Sequence, residues 1–307
     1  MASPAATVIT RIEQDNLTGA VWLTDERLAL VSYAPNHDTH IDQVGLDGRP
    51  VEPTTVIPTD AACGADPYTS LARIDEDHLG AVHQCESQQG DRADTFVVLD
   101  TSTGRVDVLS EAAPFPADFP YSVAWDAGRP GIYQSGDDLC ATLYEVDGSQ
   151  PLSVRVTVAE QEFAAGVDVG EMPDRCPRDG RAGRPAMVGD RLAFFASANA
   201  GVAGQDLIDR PWDLFVRDGA GVPRRVLGDV LDPGDQLWAA DGQRLFILAA
   251  LGSQPGAWAI DTIAGRATLL VEGLTGEFAH LSLSPSERRL VVLGYGEQDF
   301  AVVAEMR

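Results

Sequence analysis

The feature that most constrains this chain is a phrase that returns about every fifty residues. Turn residues lead into a short apolar run at Leu28–Tyr33, Leu79–Gln84, Gly131–Ser135, Leu192–Ser197, Leu245–Ala250 and Leu290–Tyr295. Successive starts lie 51, 52, 61, 53 and 45 residues apart. After each run but the last, a loop leads to a second run that mostly ends in an acidic residue and a turn glycine. Examples are VGLDG at 44–48, LFVRDG at 214–219 and WAIDTIAG at 258–265. Further strand candidates follow at 105–110, 152–158, 224–227 and 266–271, with a weaker one at 50–57. Others precede the runs, and three of these carry Trp22, Trp125 and Trp238 at matching positions, which read as core.

Four short strands per unit, joined by Asp-Gly corners, is the pattern of β-propeller blades. A lone blade cannot bury both of its faces, so several must pack around a channel. Helical periodicity is nowhere convincing, even at 155–165. The expected fold is all-β: one domain over 1–307, a six-bladed propeller with four-stranded antiparallel blades. Blade starts fall near 19, 70, 121, 184, 235 and 280. The last blade has three strands of its own, and the spare strand at 7–13 is expected to close it, which removes a free edge.

Composition narrows the partners. The chain carries 22 basic and 47 acidic side chains, a net charge of −25. All 22 basic residues are Arg, with no Lys in the chain. Nucleic acid and anionic membrane surfaces are attracted by clustered Lys and Arg, so both are excluded as partners. No apolar stretch reaches membrane-spanning length. The opening MASPAATVIT shows no basic region followed by an apolar one, so no leader is visible. A monomer is expected.

The segment LSLSPSERRLVVLGY at 281–295 resembles the strand, S-P-D-G-x-x-L, strand phrase of TolB-like propellers. So does AADGQRLFILAAL at 239–251 with WAIDTIAGRATLL at 258–270. The likeness spans the chain as a rhythm and is closest in these two blades. It implies a six-bladed propeller acting outside the cytoplasm in binding or envelope roles, and it transfers no catalytic residue.

In such a ring, loops between the second and third strands of a blade share one rim with the loops between blades. That rim is expected to hold all four cysteines, predicting disulfides Cys63–Cys85 and Cys140–Cys176. Their separations of 22 and 36 residues favour crosslinks worth roughly 3–4 kcal/mol. Disulfides imply an extracellular, periplasmic or envelope location.

Three constellations on that rim are candidates for chemistry. His37 and His40 flank Asp38 and could hold a metal. Asp137, Asp138, Asp206, Asp209, Asp213, Glu297 and Asp299 could supply hard oxygen ligands for calcium, or the carboxylate pair of a glycosidase. Pro67, Tyr68, Phe115, Phe119, Pro120, Tyr121, Pro211 and Trp212 could form an aromatic recognition surface or plug the channel mouth. His83 reads as a buried histidine and His78 as a turn residue. No nucleophile elbow, zinc-protease motif or phosphate loop occurs. The expectation is a non-enzymatic module binding a protein or peptide, without a required cofactor. The alternative is a propeller enzyme (glycosidase, lyase or lactonase) using acidic loop residues, with calcium as its ion.

Overall fold

The structure, a computed structural model, describes residues 4–60, 63–65, 67–87, 92–111, 120–136, 140–146, 152, 154–158, 161–165, 180–198, 209–274, 280–295 and 298–306. Among the described residues there are strands and no helix. The first blade is β2 (Leu17–Trp22), β3 (Arg27–Tyr33), β4 (Thr39–Gly45) and β5 (Thr55–Ile57), antiparallel and in sequence order. The second is β7 (Tyr68–Arg73), β8 (His78–Ser87), β9 (Arg92–Asp100) and β10 (Val106–Glu111). A short extra strand, β6 (Cys63–Ala65), also pairs with β8.

The third sheet holds β11 (Pro120–Asp126), β12 (Arg129–Ser135) and β13 (Thr142–Glu145). The expected fourth strand at 152–158 instead becomes β14 (Val154–Val158), which pairs with β15 (Gln161–Ala165) in a hairpin of its own. Burial explains the departure. Leu152, Val156 and Val158 pack on Phe194 and Phe215 of the next sheet, and among the described residues only the Leu152 amide stays on β13, at Leu143 O. The stretch 161–184 thus contains β15 and the start of the following strand.

That strand is β16 (Gly180–Val188), followed by β17 (Arg191–Ala198), β18 (Trp212–Asp218) and β19 (Arg224–Leu231). A second group of four follows: β20 (Gln236–Trp238), β21 (Arg244–Leu251), β22 (Gln254–Asp261) and β23 (Arg266–Glu272). The two groups join into one sheet through Val230–Leu251 and Leu231–Ala250 alone. The last sheet holds β24 (His280–Leu283), β25 (Arg289–Gly294) and β26 (Phe300–Met306), and its outer strand is β1 (Ala6–Glu13). The spare N-terminal strand does close the ring, pairing from Ala6–Met306 to Glu13–Phe300.

The core lies between blades rather than at their centre. Val21, Ala29 and Val31 of the first blade pack on Leu79, Ala81 and Val97 of the second. Trp22, Leu28 and Leu30 pack on Val291, Leu293 and Val303 of the last. A second strand such as β3 or β25 meets a neighbouring blade on each face, so it is a continuous apolar run rather than an alternating one. The outer strand β1 faces solvent along much of its length.

The tryptophans bolt these seams. Trp22 and Trp238 are buried and Trp125 partly so. Trp125 Nε1 donates to Ser70 O at 2.9 Å and Trp238 Nε1 to Ala186 O at 3.1 Å, each reaching the preceding blade. Gly80 makes room for the first of these, since a Cβ there would lie 2.6 Å from the Trp125 ring.

Candidate functional site

Alternating strand direction sends the connections to two rims that are built differently. One rim, the turn rim, carries the links from first to second and from third to fourth strand of each blade. Most of its corners are short, and four of them are capped by aspartate. Asp100 accepts the amides of Ser102 and Thr103 at 2.9 and 3.0 Å, and Asp261 those of Ile263 and Ala264 at 3.0 and 2.9 Å. Asp75 and Asp241 repeat the arrangement. Gly104 and Gly265 close two of these corners at φ of 71° and 62°, a region glycine enters without strain.

Burial works against the charged forms of Asp75, Asp100 and Asp241. The amide and side-chain donors outweigh it and hold all three carboxyls below the usual aspartate range.

Arginines link this rim from blade to blade. Each second strand opens with a basic residue: Arg27, His78, Arg129, Arg191, Arg244 and Arg289. Arg27 donates to Glu76 O at 2.9 Å, Arg191 to Gly242 O, and Arg289 to Asp25 O. Arg244 meets Glu287 at 2.8 Å. Each of these four clasps a neighbouring blade. His78 turns back onto its own corner at Asp75, 2.9 Å away, and Arg129 makes no clasp among the described residues.

The other rim, the loop rim, carries the links between second and third strands and between blades. Cys63 and Cys85 are disulfide-bonded there, tying β6 to β8. Cys140 is also disulfide-bonded; Cys176, its expected partner, lies outside the described residues.

The carboxylates expected to gather ions on this rim are dispersed where they are described. Asp38 accepts Thr59 N at 3.0 Å through Oδ1 and Asn36 Nδ2 at 2.7 Å through Oδ2. Hydrogen bonds from the Thr59 amide lead in holding its carboxyl below the ordinary value. Asp38 is thereby committed to joining two loops, between exposed His37 and partly buried His40. Asp299 accepts Leu17 N at 3.1 Å across the closing seam. Buried Asp213 is paired with Arg225 at 2.7 Å, and Asp209 is exposed. Among the described residues no three His, Cys, Asp or Glu side chains are placed to hold a metal ion. Asp137, Asp138, Asp206 and Glu297 lie outside the described residues.

The aromatic set is split. Tyr68 and Trp212 do not stand on loops: they open β7 and β18 and are 5% and 4% exposed. Tyr68 stacks on His83 with ring centroids 4.8 Å apart, and the Arg181 guanidinium lies over Trp212 at 4.2 Å. Pro120 and Tyr121 belong to β11 rather than to a loop, and Phe115 and Phe119 lie outside the described residues.

A cavity of about 400 Å³ runs along the inner strands β7, β11, β16, β20 and β24. Leu71, Val123, Met187, Leu237 and Leu283 contribute aliphatic wall, with Asp235 and Gln236 at its loop-rim end and Asp126 at the other. Asp235 and Gln236 are not among the residues that the sequence singles out. Their only signal is the turn Pro233-Gly234 set just ahead of a Trp-bearing strand.

No protein-family model matches the sequence, and no curated protein sequence matches it. Solved structures do. TolB from Acinetobacter baumannii is 15% identical with a TM-score of 0.53, over 94% of this chain and 66% of that one. A candidate oxidoreductase (glucose dehydrogenase) from Thermus thermophilus is 12% identical with a TM-score of 0.50, over 97% and 99% of the two chains. This chain therefore spans just under two thirds of the Acinetobacter protein's length. Such likeness speaks to fold alone: the protein is an all-β propeller with antiparallel blades, and TolB is among its structural neighbours.

Proposed function

We propose that the chain is a six-bladed binding propeller of the cell envelope or secreted space, engaging a protein or peptide through its loop rim and channel mouth. Six blades follow from reading the eight-stranded sheet as two blades of four that touch only at the ends of β19 and β21.

The observation that carries the reading is the unlike construction of the two rims. The turn rim spends many of its polar groups on its own corners and on neighbouring blades. The loop rim carries the longer connections, held by a covalent crosslink. Recognition residues are disproportionately found on loops positioned by a rigid scaffold. The Cys63–Cys85 disulfide supports an oxidising compartment. The enzymatic alternative needs convergent carboxylates, whereas Asp38, Asp213 and Asp299 are each occupied separately; calcium at Asp137, Asp138 and Asp206 belongs to that alternative.

Photocrosslinking in the protein's own cells tests the proposal, with a photoreactive residue at Thr59 on the loop rim or at Ser102 on the turn rim. A discrete protein adduct from position 59 alone is expected, from protein found outside the cytoplasm with Cys63 and Cys85 oxidised. Equal adducts from both positions, or reduced cytosolic protein, would refute it.

A further inference from the structure

The seams between blades repeat one arrangement. In four second strands the third residue, counted from the basic opener, packs on the next blade. Gly80 holds that place in β8, and the Trp125 ring of β11 fills the notch it leaves, as described above. Ala193 shares a cluster with Trp238, and Val291 shares one with Trp22. Between the third and fourth blades the notch is Gly131 of β12, and its occupant is Met187 of β16. A Cβ on Gly131 would lie 2.8 Å from the Met187 Sδ. A thioether thus takes the place that an indole takes at the other three seams.

The exchange alters the chemistry of the seam. Trp125 and Trp238 are each fixed by an Nε1 donation to a carbonyl. Met187 has no side-chain donor, so packing alone holds it. It pairs with Leu192 in the ladder of β16 and β17 and packs against the cluster that contains Ile132, Leu192 and Phe194. It is also partly exposed and lines the channel cavity beside Val123 and Leu237, where small solutes can reach it.

Cys63, Cys85 and Cys140 are already disulfide-bonded. Among the described residues the thioethers of Met187 and Met306 are therefore the sulfurs left to oxidise. Met306 stands at the turn-rim end of β26 and is not part of the cavity wall.

We propose that Met187 is a peroxide-sensitive bolt: oxidation to its sulfoxide loosens the seam between the third and fourth blades and makes the channel wall polar there. The sulfur lone pair attacks one oxygen of hydrogen peroxide. An S–O bond forms, the O–O bond breaks, and the departing oxygen leaves as water with both protons. The thioether loses two electrons and the peroxide gains them. Methionine sulfoxide reductases reverse the change. A sulfoxide is polar where the thioether was apolar, whereas the Gly131 notch is already filled and the cluster around it is apolar. Enclosing the new oxygen there without a donor is unfavourable, so the side chain moves into the channel and the seam loses its filler. The inference is independent of the binding reading above.

The test treats the full chain with graded hydrogen peroxide. Peptide mass mapping gives the sulfoxide fraction at each methionine, alongside melting temperature and hydrogen exchange. Sulfoxide at Met187 is expected to lower the melting temperature by roughly 2–4 °C and to speed exchange in β12 and β16, with β3 and β25 unchanged. Met187→Leu, which nearly conserves volume, should melt close to the parent and keep its melting temperature in peroxide. Met306→Leu should stay peroxide-sensitive. If Met187→Leu does not fold, the parent alone decides, since its melting temperature should fall in step with the sulfoxide fraction at Met187. Three results would overturn the proposal: Met187 unmodified after Met306 is fully oxidised, sulfoxide at Met187 with melting and exchange unchanged, or a folded Met187→Leu chain as peroxide-sensitive as the parent.

Discussion

The turn rim and the loop rim are made from the same repeating strands, yet they solve opposite problems. On the turn rim, aspartates cap their own corners and arginines reach neighbouring blades, so charge is consumed locally. On the loop rim the connections lengthen, a disulfide replaces the caps, and carboxylates such as Asp38 and Asp299 join separate segments. The comparison teaches that acidity in this chain has two uses. Where an aspartate precedes a tight corner it caps that corner; where it stands on the loop rim it joins separate segments.

The largest expected effect comes from the loop rim. Opening Cys63–Cys85 by Cys85→Ala should cost about 3 kcal/mol in chemical denaturation, since the crosslink closes a 22-residue separation. Protection from hydrogen exchange should fall in β6 and β8 and stay unchanged at the turn rim. A loss spread evenly over both rims would break the distinction between them.

Next is the clasp. Arg244 is half exposed and meets Asp241 and Glu287, so Arg244→Ala should cost about 1 kcal/mol. The loosening should show in the corner at 284–288 rather than at the loop rim.

Asp100→Ala removes a corner cap and should cost about 0.5–1.5 kcal/mol, the net worth of a hydrogen bond. The sign of its pH dependence follows from the lowered carboxyls of Asp75, Asp100 and Asp241. Their stabilisation is complete above the unfolded value near pH 4 and is lost as pH falls through the lower folded values. Melting temperature should therefore drop below about pH 4, and less steeply in Asp100→Ala than in the parent.

The smallest effect concerns His78, whose pKa is raised chiefly by the hydrogen bond to Asp75. Its contribution is present below the unfolded value near pH 6.5 and lost as pH rises through the folded one. Exposure limits it to a few tenths of a kcal/mol. A sharper version is His78→Arg, which puts at this position the residue that clasps from four other blades; slower exchange at the seam between β8 and β12 is the expected readout.

Much of the ring is legible in sequence because its rules are local. Asp-Gly corners, paired apolar runs and a fifty-residue period report strand order directly, and a spare strand at one end with a deficit at the other reports closure. The clasps carry a signal too, one that the apolar runs overshadow: RLALV, RLAFF, RLFIL and RLVVL each open with arginine, one residue before the apolar run. Tyr68 and Trp212 are not legible, because strands beginning one or two residues earlier than the pattern suggests move them from loop to wall. What covers each ring (His83 over Tyr68, Arg181 over Trp212) lies 15 or 31 positions away in sequence. Asp235 and Gln236 acquire their meaning only from β16 and β24, which no local pattern brings beside them.

The pairing of β1 with β26 also has a mechanical consequence. Ala6 and Met306 are partners at one end of that ladder, so both ends of the described chain leave the ring side by side on the turn rim. A pull between them would part the two strands like a zipper, one residue pair at a time, at low force. A pull between loop rim and termini would instead load the whole ladder at once. A tether at either end would thus leave the loop rim facing away, free to take a load from whatever it holds.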